Sequence, residues 1–179
     1  MTPVAVAGVL AYAALATAFD LRERRIPNWL SGAALVVAMP TALADGGIGL
    51  GPAAVGFAAG LALLVGPFAL GVLGGGDVKF VAVAGAWLGP RVGLEALLLG
   101  SVAGLVVGAV HATAAGHLRA TVRSAGQILW IVAATLSPAH VAPARPERSP
   151  LAPIPYALPL ALGIAAAVAL EQRGASLFA

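Results

Sequence analysis

Apolar residues fill this sequence in long blocks, separated by short intervals where charge, glycine and proline gather. A helix that crosses a bilayer needs about 20 apolar residues, with a range of about 17–25. The first block, Thr2 to Phe19, is slightly short of that. The second runs from about Trp29 to Ala44, with Trp29 placed where an interfacial aromatic belongs. Pro27 pushes Ile26 out of the helical region and so separates these two blocks. Asp45-Gly46-Gly47 reads as a turn, and a third block covers about Pro52 to Leu73. The fourth, Phe80 to Leu88, is unusually short. It can span only if its ends lie inside the nominal bilayer or the membrane thins there. Gly89-Pro90-Arg91 interrupts it, and a fifth block follows from about Val92 to Ala115. The last runs from about Ile154 to Leu170. The pattern predicts an all-α polytopic membrane bundle of about six transmembrane helices. Two glycine ridges, Gly56-x3-Gly60 and Gly100-x3-Gly104-x3-Gly108, allow close helix contact.

Composition agrees. Of 179 residues, 60% are hydrophobic and only 9% charged, against roughly 25% charged in an ordinary soluble domain. The mean hydropathy is +0.98. The length suits one membrane domain over residues 1–179, with 116–153 as a polar, proline-rich cytoplasmic loop. Within that loop Ser124 to Leu136 reads as an interfacial or re-entrant segment. The first block is expected to be a retained span, because no basic region precedes it and Asp20 and several arginines follow it. The basic residues set the orientation. With the N-terminus outside, Arg22, Arg24, Arg25, Lys79, Arg119, Arg123, Arg145 and Arg148 fall on the cytoplasmic side, and only Arg91 and Arg173 fall outside. That matches the positive-inside rule. If Ser124–Leu136 crossed fully, Arg145 and Arg148 would move outside and Arg173 inside. Nucleic-acid binding is not expected, since no basic stripe with interleaved aromatics occurs. The sequence has no cysteine, which removes disulfides, thiolate nucleophiles and Cys-based zinc sites.

Two acidic residues stand out against this frame. Asp20 closes the first apolar block, and Asp77 follows three glycines in Gly74-Gly75-Gly76-Asp77-Val78-Lys79. An ionisable group against a membrane segment is costly and points to function. In the expected topology both face the cytoplasm. Two carboxylates brought close together share a proton; the ionised one can activate water while the protonated one polarises a peptide carbonyl. Simpler readings exist. Asp77 is a favoured residue type for capping a helix. Asp20 lies at a helix C-terminus, where the macrodipole disfavours an anion, though Arg24 lies on the same helical face and could pair with it. The Arg22–Arg25 cluster serves as a topology signal. His111, His117 and His140 lack metal-ligand spacing, and no metal is expected. Asp45 is a turn residue, Glu95 and Glu171 could pair with Arg91 and Arg173, and Tyr156 reads as an interfacial anchor.

Together these stretches resemble the type IV prepilin peptidase family of membrane aspartyl proteases with a Gly-x-Gly-Asp motif. Gly74 to Lys79 matches that motif, and Asp20 through Ile26-Pro27-Asn28 matches the family's other motif, an Asp followed by a basic stretch ending in Ile-Pro-Asn. Pro155-Tyr156 at the start of the last span is also similar. The resemblance covers Ala11 to Leu170. It implies a six-helix bundle in a prokaryotic cytoplasmic membrane that cuts leader peptides from prepilins or pseudopilins at the cytoplasmic face. It further implies Asp20 and Asp77 as the catalytic pair, Gly74 and Gly76 as shaping the loop, and Lys79, Pro27 and Asn28 as motif positions, with no cofactor. The expected partners are prepilin leader peptides and membrane lipids, in type IV pilus or protein secretion systems. Larger members carry a cytoplasmic domain with a four-cysteine zinc site and also methylate the new N-terminus. This cysteine-free sequence is similar instead to the small peptidase-only form of tight-adherence (Flp-type) pilus systems, and methylation is not part of the expectation. Two other readings stand beside the peptidase: a non-catalytic assembly subunit of a secretion system, and a small proton-coupled transporter.

Overall fold

The computed structural model describes residues 1–69, 73–116 and 156–178, with residues 122, 123 and 126. The expectations for His117, Arg119, His140, Arg145, Arg148, Pro155 and almost all of Ser124–Leu136 and Pro138–Pro153 fall outside the described residues. Those residues form five helices: α1 (Pro3–Glu23), α2 (Asn28–Leu43), α3 (Leu50–Ala69), α4 (Gly75–Ala114) and α5 (Ala157–Gln172). Three of them, α1, α3 and α4, are long and apolar enough to cross a membrane.

Local chemistry sets most of the helix ends. Thr2 caps α1, its hydroxyl oxygen accepting from the Ala5 N–H at 3.2 Å, and Pro3 occupies the first helical position, where its missing N–H costs nothing. The helix closes at Arg24, in the left-handed region at φ 51°. Pro27 is extended and precedes α2 directly, which agrees with the expected break there. Asp45-Gly46-Gly47 forms the expected turn, with Gly46 at φ 75° and the Gly47 N–H donating to the Ala44 carbonyl at 2.7 Å.

α4 departs most from a plain rod. At Gly89 the backbone takes φ 75° and ψ 176°, a combination open essentially to glycine. Residues eight apart along a continuous helix would be separated by about 12 Å. Here a Cβ added to Gly93 would lie 3.4 Å from the Gly85 Cα. The chain therefore folds back on itself, with residues 75–88 as one limb of a hairpin and 90–114 as the other. The first limb would be about 21 Å long at 1.5 Å per residue, against about 30 Å of hydrocarbon. Every residue from Phe80 to Gly89 is buried. A helix apolar on all sides belongs inside a bundle, and protein rather than lipid surrounds this one.

Packing around the limb is close. Tyr12 of α1 meets Phe80 with ring centroids 5.6 Å apart. Without a hydrophobic force between helices in lipid, such contacts rest on van der Waals fit and small residues. The glycine ridges supply them. A Cβ on Gly56 would come within 2.8 Å of the Gly85 carbonyl carbon, and one on Gly60 within 2.8 Å of the Val81 oxygen. Gly100 faces α5, 3.0 Å from the Leu160 Cα by the same measure, and Gly104 faces Tyr156; Gly108 meets nothing within 4 Å among the described residues.

The hairpin turn carries a polar cluster. Arg91 pairs with Glu171 at 2.5 Å and with Glu95, one turn on, at 3.8 Å. Its guanidinium also donates to the Ser176 hydroxyl, which donates to Glu95 Oε1 at 2.6 Å. Glu95 is fully buried. The expected pairing of Glu95 and Glu171 with Arg91 holds. Arg173 takes no part: among the described residues the ion pairs are those two.

Candidate active site

At the other end of the bundle, three helix termini converge. Asp20 lies in the last turn of α1 and is half-buried. Its Oδ2 accepts from the backbone N–H of Ala157, the first residue of α5, at 3.3 Å. One turn earlier on the same face, the Thr17 hydroxyl lies 3.3 Å from the Ala157 carbonyl oxygen. The start of α5 is thus held to the end of α1 from both sides of one residue. Arg24 does not pair with Asp20. Its left-handed backbone ends the helix, and only its backbone N–H reaches the Asp20 carbonyl, at 2.9 Å.

Asp77 opens α4. Glycine-rich sequence suggests a loop, and in the expectation Gly74 and Gly76 shape one. Instead Gly75 and Gly76 form the first helical turn, and Gly74 is the cap position in extended backbone. The Asp77 Oδ2 accepts from the Gly74 N–H at 3.3 Å, the acidic half of a capping box; Gly74 has no side chain for the reciprocal bond. The capping reading of Asp77 therefore holds in part, from the third helical position. Gly76 serves packing: a Cβ there would lie 3.6 Å from the Ile26 Cγ1.

The negative charges of Asp20 and Asp77 act on one another. Tyr156, directly before α5, joins them. Burial, and next the charge of Asp77, hold its hydroxyl above the ordinary tyrosine value. A Cβ added to Gly104 would lie 3.1 Å from the Tyr156 hydroxyl oxygen, so the ring rests on the second limb of α4. Sequence reasoning read Tyr156 as an anchor; its nearness to Asp77 crosses 79 positions of chain and leaves no local signal. Thr17 was missed for a similar reason, since a threonine inside an apolar run looks like any other tolerated hydroxyl.

The remaining motif residues gather beside the aspartates. Lys79 Nζ donates to Asn28 Oδ1 at 2.6 Å, and Pro27 lies between Asn28 and the buried Ile26. Phe19 meets Trp29 edge to face, ring centroids 5.8 Å apart, which joins α1 to α2 at this same end. Among the described residues no group of three His, Cys, Asp or Glu side chains could hold a metal ion.

These features define a helical membrane protein with an acidic pair where helix termini meet. The chain matches the type IV leader peptidase family over residues 7–109 and belongs to that family. The matched stretch contains both aspartates, the Ile26-Pro27-Asn28 segment and Gly74–Lys79; it ends before α5. No curated protein and no solved structure matches the chain.

Proposed function

We propose that the protein is a membrane aspartyl endopeptidase that removes leader peptides from prepilins or pseudopilins, with Asp20 and Asp77 as its catalytic pair. The observation that carries this reading is the meeting of the two carboxylates across 57 positions of sequence, within the stretch that matches the family. Two such groups titrate as a unit and hold one proton between them. The ionised carboxylate takes a proton from water as the water oxygen bonds to the scissile carbonyl carbon. The protonated carboxyl donates to the carbonyl oxygen as its charge develops. Collapse of the tetrahedral intermediate breaks the C–N bond, and the departing nitrogen receives the proton that came from water. No cofactor is required for this sequence of steps.

The distribution of cations supports a cytoplasmic site. Lys79 and the Arg22–Arg25 cluster lie at the aspartate end, whereas Arg91 lies at the end marked by Glu171. Under the positive-inside rule the aspartates then face the cytoplasm, the side from which a basic leader would arrive.

The test is leader cleavage of a co-expressed prepilin from the same genome, read by gel mobility. Wild type is compared with Asp20→Asn and Asp77→Asn at matched membrane levels. Cleavage by wild type and its loss in each variant is the expected result. Equal cleavage by the variants would make both aspartates structural and end this proposal.

A further inference from the structure

The Lys79–Asn28 hydrogen bond joins residues 51 positions apart and lies beside Asp77 without touching either aspartate. We propose that Lys79 and Asn28 are positioning residues, forming a latch that fixes the end of α1 against the start of α4 and so sets the separation of Asp20 and Asp77. The inference rests on the peptidase reading above.

The choice of partner is informative. A half-buried ammonium two residues from Asp77 has carboxylates at hand, yet among the described residues Lys79 forms no ion pair. It donates instead to a neutral amide oxygen at 2.6 Å, a short charge-assisted bond. Asn28 is exposed, so no buried group demands the bond. The cation is directed to the connection between α1 and α2.

The rest of the latch is apolar. Gly76 and Lys79 are three apart and share one face of the first turn of α4. Ile26 covers that face at Gly76, with a Cβ there 3.6 Å from the Ile26 Cγ1, and Asn28 holds it at Lys79. Pro27 fixes the backbone between them at φ −62°, so both gripping side chains are placed by one rigid residue. Asp77 lies about 100° round the helix from Gly76, off the gripped face. On the other side, the left-handed turn at Arg24 separates Ile26 from Asp20 by one short connection. Whatever holds Ile26 and Asn28 to α4 therefore holds the last turn of α1 near Asp77.

A misplacement of about 1 Å between reacting groups can lower turnover by roughly 100-fold, whereas loss of one exposed bond changes stability little. The test uses the purified full chain in detergent with a prepilin substrate. Lys79→Met and Asn28→Ser should each lower kcat roughly 10- to 100-fold, with KM changed less than about twofold, and Lys79→Met/Asn28→Ser should be no worse than either alone. Lys79→Arg should restore most of the rate. A second readout needs no activity. Because the chain lacks cysteine, Asp20→Cys/Asp77→Cys gives one possible intramolecular disulfide, and adding Lys79→Met should slow its formation about tenfold. Slower disulfide formation in a protein that cleaves no leader would keep the latch and overturn the peptidase reading. Additive losses of kcat with an unchanged disulfide rate would overturn the latch. A raised KM at constant kcat would also overturn it, by making Lys79 a substrate contact.

Discussion

Replacing Gly163 by alanine adds one methyl group at the closest approach of α5 to α4. A Cβ there would lie 2.6 Å from the Gly100 Cα and nearer still to the Ala96 oxygen and the Gly100 nitrogen. All three are backbone atoms, so no side chain can swing aside. Ordinary contact begins at 3.4 Å, which leaves a deficit of about 0.8 Å that α5 must supply by moving. A gap of 0.5–1 Å forfeits roughly a quarter to a half of each dispersion contact it opens. Leu160, Ile164, Ala167 and Val168 all pack on this helix face, so the expected loss is about 1–3 kcal/mol. The same movement draws Ala157 away from Asp20, whose bond at 3.3 Å has little length to spare. Unfolding of the purified protein in detergent should therefore shift to lower temperature or denaturant, and leader cleavage should fall with it. Gly32→Ala in α2 is the control. Nothing lies within 4 Å of a Cβ there, and the change should be neutral or stabilising by up to about 1 kcal/mol. If Gly163→Ala proved as stable as Gly32→Ala, the packing of α5 described above would be wrong.

Gly89→Ala should cost about 1–3 kcal/mol, because φ 75° with ψ 176° is closed to alanine; thermal unfolding in detergent would register it, and a smaller loss would mean that the hairpin relaxes. Arg91→Met leaves the fully buried Glu95 without its cation, so it should destabilise by several times the effect of Glu171→Gln, whose more exposed pair is worth less than about 1 kcal/mol; matched denaturation curves would compare them. Tyr156→Phe should leave the shape of the pH–rate profile between pH 6 and 9 unchanged, since burial and the Asp77 charge both disfavour the phenolate and keep the hydroxyl protonated there. The sign is that of a raised value: any stability from this group is present below the ordinary tyrosine pKa and is lost as pH rises beyond it.

Charge and punctuation were the most readable features of the sequence. Asp20 and Asp77 are conspicuous because an apolar block hides nothing that is charged, and Gly89-Pro90 announces a break because helices rarely tolerate that pair. Pairing of Arg91 with Glu95 follows from four-residue spacing alone. Gly74–Gly76 misled for a physical reason. Glycine is permissive, so its presence does not say which conformation is used, and here two of the three are helical and serve the approach of Ile26. The short fourth block suggested a distorted membrane; its burial among other helices is a tertiary fact with no trace in its own residues. Tyr156, Thr17 and Ser176 act through partners far along the chain, and no local pattern marks such contacts.

The fifth helix is fastened at both extremities. Its first residue is held by Thr17 and Asp20, and its penultimate residue, Glu171, grips Arg91 just past the hairpin reversal. Sixteen residues make a stiff rod about 24 Å long, and a rod secured this way cannot slide along its axis without tearing loose at one anchor. The two faces of the molecule are therefore mechanically joined. A pull on the C-terminal tail, which Arg91 also clasps through Ser176, is delivered to the carboxylate of Asp20 on the opposite side.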